Sequence, residues 1–237
     1  GTAVGTQGRI LKTTNGGTNW ISQTSGTMEY LYDVFFSNAN IGTIVGDNGT
    51  ILRTTDGGTT WIPQLSTTTE WLSSVFFFFL NNGTTVGGNG TILITTDGGI
   101  TWKTQISNTS NYLNAISYAD ENNGIVVGGN GTILRTTNGG TIWISQTSGT
   151  TNSLYGVCFT DANYGTAVGY IGAILRTTNG GTTWISQTSG TTTHLSGVSL
   201  VDANNGTAVG TGGIILKTTN GGVHWISQLN GTERMLQ

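Results

Sequence analysis

The chain is poor in charge. Of 237 residues, 8 are Lys or Arg and 11 are Asp or Glu, 8% in all, for a formal net charge of −3. Soluble domains usually carry about 25%, so this surface is built mostly from Thr, Ser, Asn and Gly. Clustered Lys and Arg are missing, which excludes a nucleic-acid binder that tracks phosphates. The single cysteine, Cys158, excludes an internal disulfide, and nothing resembles a paired-cysteine metal site. Long apolar runs are missing too: the longest, Val75 to Leu80, is six residues, against the roughly 18 of a membrane span. No helical periodicity is visible, and the 39 glycines would penalise a helix throughout. No initiator Met or signal peptide opens the chain at Gly1, which reads as a mature or trimmed product.

What is present is a repeat. Tryptophans stand at 20, 61, 102, 143, 184 and 225, always 41 residues apart. Each closes the same phrase, TTNGGTNW at Thr13–Trp20, TTDGGTTW at Thr54–Trp61 and TTNGGVHW at Thr218–Trp225 among them. A Gln follows each Trp by three residues, from Gln23 to Gln228.

Each unit divides into four short strand signals separated by turn residues. In the second copy, strand A is predicted over Leu31–Phe36, B over Thr43–Val45, C over Thr50–Thr54 and D over Thr59–Gln64. Four strands per ~40 residues is the pattern of propeller blades. A pair of β-trefoils would favour a threefold modulation that the sequence lacks. The predicted fold is all-β, a six-bladed β-propeller of 41-residue blades forming a single domain over 1–237. One blade is split between the termini and lacks most of strand A.

The paired glycines, Gly57-Gly58 and their counterparts, supply turn conformations with positive φ. The preceding Asn or Asp (Asn15, Asp56, Asp97, Asn138, Asn179, Asn220) is placed to accept backbone N–H bonds, and the Trp to lie flat between blades. Thr54 to Trp61 resembles the Asp-box of bacterial-neuraminidase-type repeats, S/T-x-D-x-G-x-x-W. With Val45-Gly46 and Gly49-Thr50-Ile51-Leu52, the fuller unit resembles the photosystem II stability/assembly-factor type of propeller and its bacterial secreted relatives. Four of the six boxes carry Asn in place of Asp. The resemblance covers nearly the whole chain and implies the fold. Asp-boxes occur in sialidases, glycanases, sorting receptors and assembly factors, so the motif alone implies no function.

Catalytic chemistry finds little to work with. A sialidase needs converging arginines, but Arg53, Arg135 and Arg176 share one repeat position with Lys12 and Lys217 and read as a solvated place on strand C. Glu29 and Glu70 lie in equivalent loops of adjacent blades and are the one candidate pair for a glycosidase. His194 and His224 read as lone surface histidines, and Cys158 as a small buried residue. The turns opening at Asp120, Asp161 and Asp202 begin like a calcium loop but lack its downstream bidentate acid. No metal, cofactor or catalytic residue is assigned.

Variation concentrates just before strand A: Glu29-Tyr30, Glu70-Trp71, Asn111-Tyr112, Asn152-Ser153, Thr193-His194 and Arg234-Met235. Tyr30, Trp71 and Tyr112, with Glu29, Glu70 and Asn111 beside them, form the candidate ligand site, suited to sugar or peptide stacking. Sequons occur at Asn48, Asn82, Asn89, Asn108, Asn130, Asn205 and Asn230 and are candidate glycosylation sites.

The chain is nine residues short of six full units, the shortfall matching Asp33–Ile41. An unfilled strand slot leaves unpaired backbone groups, so either the natural chain continues or another molecule supplies the strand. Low charge removes one brake on self-association. These features predict a non-catalytic, extracellular or cell-surface structural subunit that self-associates, even into filaments. The alternative is a monomeric glycan- or protein-binding propeller using the aromatic loops; a glycoside hydrolase comes third.

Overall fold

The computed structural model describes residues 1–228; Asn230, Arg234 and Met235 lie outside them. The chain divides into two compact units. The first, Gly1–Ser110, holds three antiparallel sheets. Sheet I comprises β1 (Thr2–Val4), β2 (Ile10–Lys12) and β3 (Ile21–Gln23). Sheet II comprises β4 (Leu31–Phe36), β5 (Gly42–Gly46), β6 (Ile51–Thr54) and β7 (Ile62–Gln64). Sheet III comprises β8 (Leu72–Phe77), β9 (Gly83–Gly87), β10 (Ile92–Thr95) and β11 (Lys103–Gln105).

The second unit, Asn111–Gln237, repeats this plan. Sheet IV runs β12 (Leu113–Tyr118), β13 (Gly124–Gly128), β14 (Ile133–Thr136) and β15 (Ile144–Gln146). Sheet V runs β16 (Leu154–Phe159), β17 (Gly165–Gly169), β18 (Ile174–Thr177) and β19 (Ile185–Gln187). Sheet VI runs β20 (Leu195–Leu200), β21 (Gly206–Gly210), β22 (Ile215–Thr218) and β23 (Ile226–Ser227). In every sheet the strands are hydrogen-bonded in sequence order, as in propeller blades. The fold is all-β and of the six-bladed propeller class. Sheet I has three strands among the described residues, in line with the predicted split blade.

The predicted β4 matches residue for residue, but the last strand is shorter than expected. It starts at Ile62, not Thr59, because the Asp-box turn extends to the Trp. In that turn Thr54 Oγ1 donates to Asp56 Oδ1 (2.8 Å) and accepts from Gly58 N–H (2.9 Å). Asp56 Oδ1 accepts from the N–H groups of Thr59 and Thr60, both at 2.9 Å. An Asn box does the same with one oxygen: Asn138 Oδ1 accepts from Thr136 Oγ1 and Ile142 N–H, each at 2.9 Å. Asp adds a hydroxyl bond through its second oxygen, Thr60 Oγ1 to Asp56 Oδ2 and Thr101 Oγ1 to Asp97 Oδ2, both 2.6 Å.

Within each unit the core lies between successive sheets. Val45 and Ile51 of sheet II pack with Leu72, Val75, Phe77, Leu93 and Trp102 of sheet III, and sheets I and II, IV and V, and V and VI share equivalent clusters. Five of the six repeat tryptophans are buried as expected. Trp20 is not: it is 45% exposed. In sheets II to V the Trp meets a ring from its own first strand, as Phe36 meets Trp61 at 5.9 Å. Sheet I offers no such strand among the described residues.

The strand-C arginines are not the solvated set that was expected. Each ties one sheet to the next: Arg53 Nε donates to Gly98 O and Arg135 Nε to Gly180 O, both at 2.7 Å. Arg176 is buried, donating to Thr166 Oγ1 (3.1 Å) and Ala203 O.

Candidate functional site

The residues preceding each first strand sit beside the tight turn joining the second and third strands. A β-bulge then interrupts the first strand at its second residue: Leu31 pairs with Gly46 but Asp33 with Val45, leaving Tyr32 unpaired. The same shift occurs in sheets III to VI, at Ser73, Asn114, Tyr155 and Ser196. A bulge re-aims its side chain, so each sheet presents a residue here that simple alternation would not. The apolar spacing Leu31, Val34, Phe36 (three, then two) was the signal for it, repeated in Leu72, Val75, Phe77.

In the first unit, Tyr30 and Tyr32 are each 47% exposed. The Tyr32 ring meets Trp71 of sheet III edge-on, with centroids 6.2 Å apart, and its hydroxyl donates to Asp47 Oδ1 at 2.9 Å. Partial desolvation of that hydroxyl, then the bond to Asp47 and its charge, push the Tyr32 pKa up to about 12. Tyr32 therefore stays protonated at every physiological pH. Trp71 and Glu70 lie over a bare turn: a Cβ on Gly88 would fall 2.6 Å from Trp71 Nε1 and 2.9 Å from Glu70 Oε2. Glu29 and Glu70 are half-buried, and their carbonyls accept from Gly8 and Gly49 N–H at 2.8 and 2.9 Å. Sequence reasoning named Tyr30 and Trp71 as candidates and did not name Tyr32 or Asp47, which the bulge and the turn bring beside Trp71.

In the second unit, the Tyr112 ring lies over Gly129 in the same manner, 2.8 Å from where a Cβ would stand. Its hydroxyl is 2.9 Å from Ser153 Oγ of sheet V. Asn111 is tied into its own sheet, donating to Thr132 Oγ1 (2.9 Å) and accepting from Asn130 Nδ2 (3.1 Å). His194 is no lone histidine, since it stacks on Tyr170 with centroids 4.3 Å apart. Both units thus carry partly exposed aromatic rings held by neighbours, which can stack on a ligand.

The remaining candidates have structural accounts. Asn48, Asn89 and Asn130 adopt φ of 50 to 51 in their turns, and Asn108 φ 57; Asn tolerates this left-handed region. Asn205 Nδ2 donates to Asp202 Oδ2 at 2.8 Å, and Asn82 O accepts from Phe78 N–H at 3.1 Å. The calcium-like turns are Asx turns: Asp120 Oδ1 accepts from Asn122 and Asn123 N–H, both 2.9 Å, and Asp161 and Asp202 follow suit. Cys158 is half-buried, with its thiol pKa raised by burial. Among the described residues, no three His, Cys, Asp or Glu are placed to share a metal ion, and no helix is long and apolar enough to cross a membrane.

The family described as photosynthesis system II assembly factor YCF48 matches over residues 19–104, 63–147 and 141–234, and the chain belongs to it. No curated protein matches the sequence significantly. YCF48 from Cyanidioschyzon merolae is 21% identical with a TM-score of 0.79, covering 98% of this chain and 82% of that one. A structure of YCF48 bound to D1 peptide is 20% identical with a TM-score of 0.59, covering 84% and 80%. The Niastella koreensis GH74 enzyme is 16% identical with a TM-score of 0.76, covering 97% of this chain but 43% of the enzyme. At these identities the likeness is one of fold.

These findings correct two expectations. The extracellular, filament-forming structural subunit is overturned by membership of an assembly-factor family with a solved relative bound to a D1 peptide. The reasoning behind it rested on low charge and an open strand edge, which suit capture of another chain as well as self-association. The extracellular or cell-surface location falls with it, since photosystem II is not an extracellular complex. The glycoprotein reading gains no support.

Proposed function

We propose that this member of the YCF48 family is a single β-propeller domain that binds a segment of a partner protein during photosystem II assembly and catalyses no reaction. The binding surface is the aromatic end of the first strands in the first unit, Tyr30, Tyr32 and Trp71; Tyr112 marks the equivalent place in the second unit. Glu29, Glu70 and Asn111 flank these rings. The observation that carries the reading is the braced Trp71. It rests on a glycine turn and against Tyr32, whose hydroxyl is fixed by Asp47. Rings held this way contribute contact area with little loss of rotamer freedom on binding. Family membership and the D1-bound relative favour a peptide over a sugar.

Fluorescence anisotropy with a set of overlapping labelled D1 peptides tests this. At least one peptide is expected to bind saturably, and Trp71→Ala to weaken it by about 30-fold or more, as for a hot-spot residue. Unchanged affinity in Trp71→Ala would place the binding surface elsewhere.

A further inference from the structure

The first unit holds six acids: Glu29, Asp33, Asp47, Asp56, Glu70 and Asp97. Asp56 and Asp97 are committed to their Asp-box turns, where each carboxylate accepts from a Thr hydroxyl and from backbone N–H groups. Asp33 accepts from Val34 and Val75 N–H, tying β4 to β8. The three that remain, Glu29, Asp47 and Glu70, all stand beside Tyr30, Tyr32 and Trp71. Asp47 N–H donates to Tyr30 O and Asp47 Oδ1 accepts from the Tyr32 hydroxyl, both at 2.9 Å. Glu70 precedes Trp71, and its carbonyl accepts from Gly49 N–H in the turn that Asp47 opens. Glu29 precedes Tyr30.

The repeat does not require these carboxylates. Asn111, Asn152 and Thr193 stand where the Glu would be in later units, and the Asp47 position is filled five times without an acid, by Gly88 and Gly129 among others. Nor are they neutralised. All three are half-buried, and among the described residues none forms an ion pair. The unit's four cations are placed otherwise. Lys12 Nζ donates to Thr59 Oγ1 and Arg53 Nε to Gly98 O, both at Asp-box turns. Lys103 stands on the outer strand β11, and Arg9 lines an open groove with Ser22 and Met28 along β3. Half-buried acids without a counter-ion, beside partly exposed ring faces, are complementary to a cation. Arginine suits both, because its planar fork stacks on a ring and pairs with a carboxylate.

We infer that this end of the first unit selects an arginine side chain of the partner segment, seated against Trp71 and Tyr30 with Asp47 and Glu70 as its counter-charges and Glu29 adding to the field. The inference rests on the peptide-binding reading above and adds the chemistry of the residue selected.

The test is an NMR titration of the full chain with the N-acetyl methylamides of arginine, lysine and citrulline, the last an uncharged mimic of arginine. The arginine amide is expected to shift the Trp71 indole N–H signal saturably, and citrulline to bind about tenfold more weakly, with lysine between them. The double variant Asp47→Asn, Glu70→Gln keeps an oxygen for the Tyr32 hydroxyl but removes both charges. It should bring arginine down to the level of citrulline and leave citrulline unchanged, which a merely structural role for the two acids would not do. The wild-type comparison of arginine with citrulline needs no variant, so a folding defect cannot hide the answer. The inference is overturned by an unshifted Trp71 signal, by citrulline or lysine amide binding as tightly as arginine, or by undiminished arginine binding in the double variant. Arginine amide held at Trp71 while no D1 peptide binds would sink the partner reading and leave this selection standing. A D1 peptide that binds through Trp71 and loses nothing when citrulline replaces its arginines would do the reverse.

Discussion

Phe77 meets Trp102 edge-on within sheet III, ring centroids 5.9 Å apart and planes at 83°. The relationship recurs in sheets II, IV and V, and sheet I shows the contrast. Trp102 is 3% exposed and Trp20 45%, in otherwise matching Asp-box phrases. Trp102→Ala should therefore cost about 3–5 kcal/mol of folding stability, and Trp20→Ala about 1 kcal/mol or less. Denaturant unfolding of the two variants checks this, and equal losses would contradict it.

Arg176 should resist conservative replacement. Its buried guanidinium spans Thr166 and Ala203 and lies 5.4 Å from the centre of the Tyr164 ring. A lysine cannot reproduce that fork, so Arg176→Lys is expected to lose about 1.5–3 kcal/mol. Its unfolding midpoint against that of wild type gives the answer.

The Asp-box carboxylates set one pH dependence. Bonds from the Thr101 hydroxyl and N–H, with those of Thr95 and Ile100, hold the Asp97 pKa down to about 2. The folded value lies below the unfolded one, about 3.9. Its stabilisation is thus present above the unfolded value and lost as pH falls through the folded one. Asp97→Asn, which keeps the Asn138 geometry, should be less stable than wild type at pH 7. The gap should close between about pH 4 and 2. Urea melts across that range measure it.

Asp33 sets the opposite dependence. Burial raises its pKa, against lowering bonds from Val75, Ser74 and Val34. Val75 N–H reaches it from sheet III at 2.9 Å. A raised folded pKa means stability present below the unfolded value and lost as pH rises through the folded one. Wild type should lose ground to Asp33→Asn as pH climbs from about 4 towards neutrality. A difference independent of pH would show that Asp33 titrates normally.

The fold was legible because a period of 41 residues fixes the blade, and Asx-Gly-Gly chemistry fixes each turn. The candidate site was legible only in part. Tyr30 and Trp71 stood out as variable positions in a repeating chain, but Tyr32 is displayed by a bulge that period-2 reasoning hides. The arginines misled because one repeat position looks solvated until the next sheet's carbonyl is placed beside it, as Gly98 O is beside Arg53.

A crystal structure of this chain with a bound D1 peptide tests the central claim most directly. The account predicts the peptide in contact with Trp71 and Tyr32, at the bulged ends of β4 and β8. A peptide seated on the outer strands or the Asp-box turns, with Trp71 untouched, would contradict it.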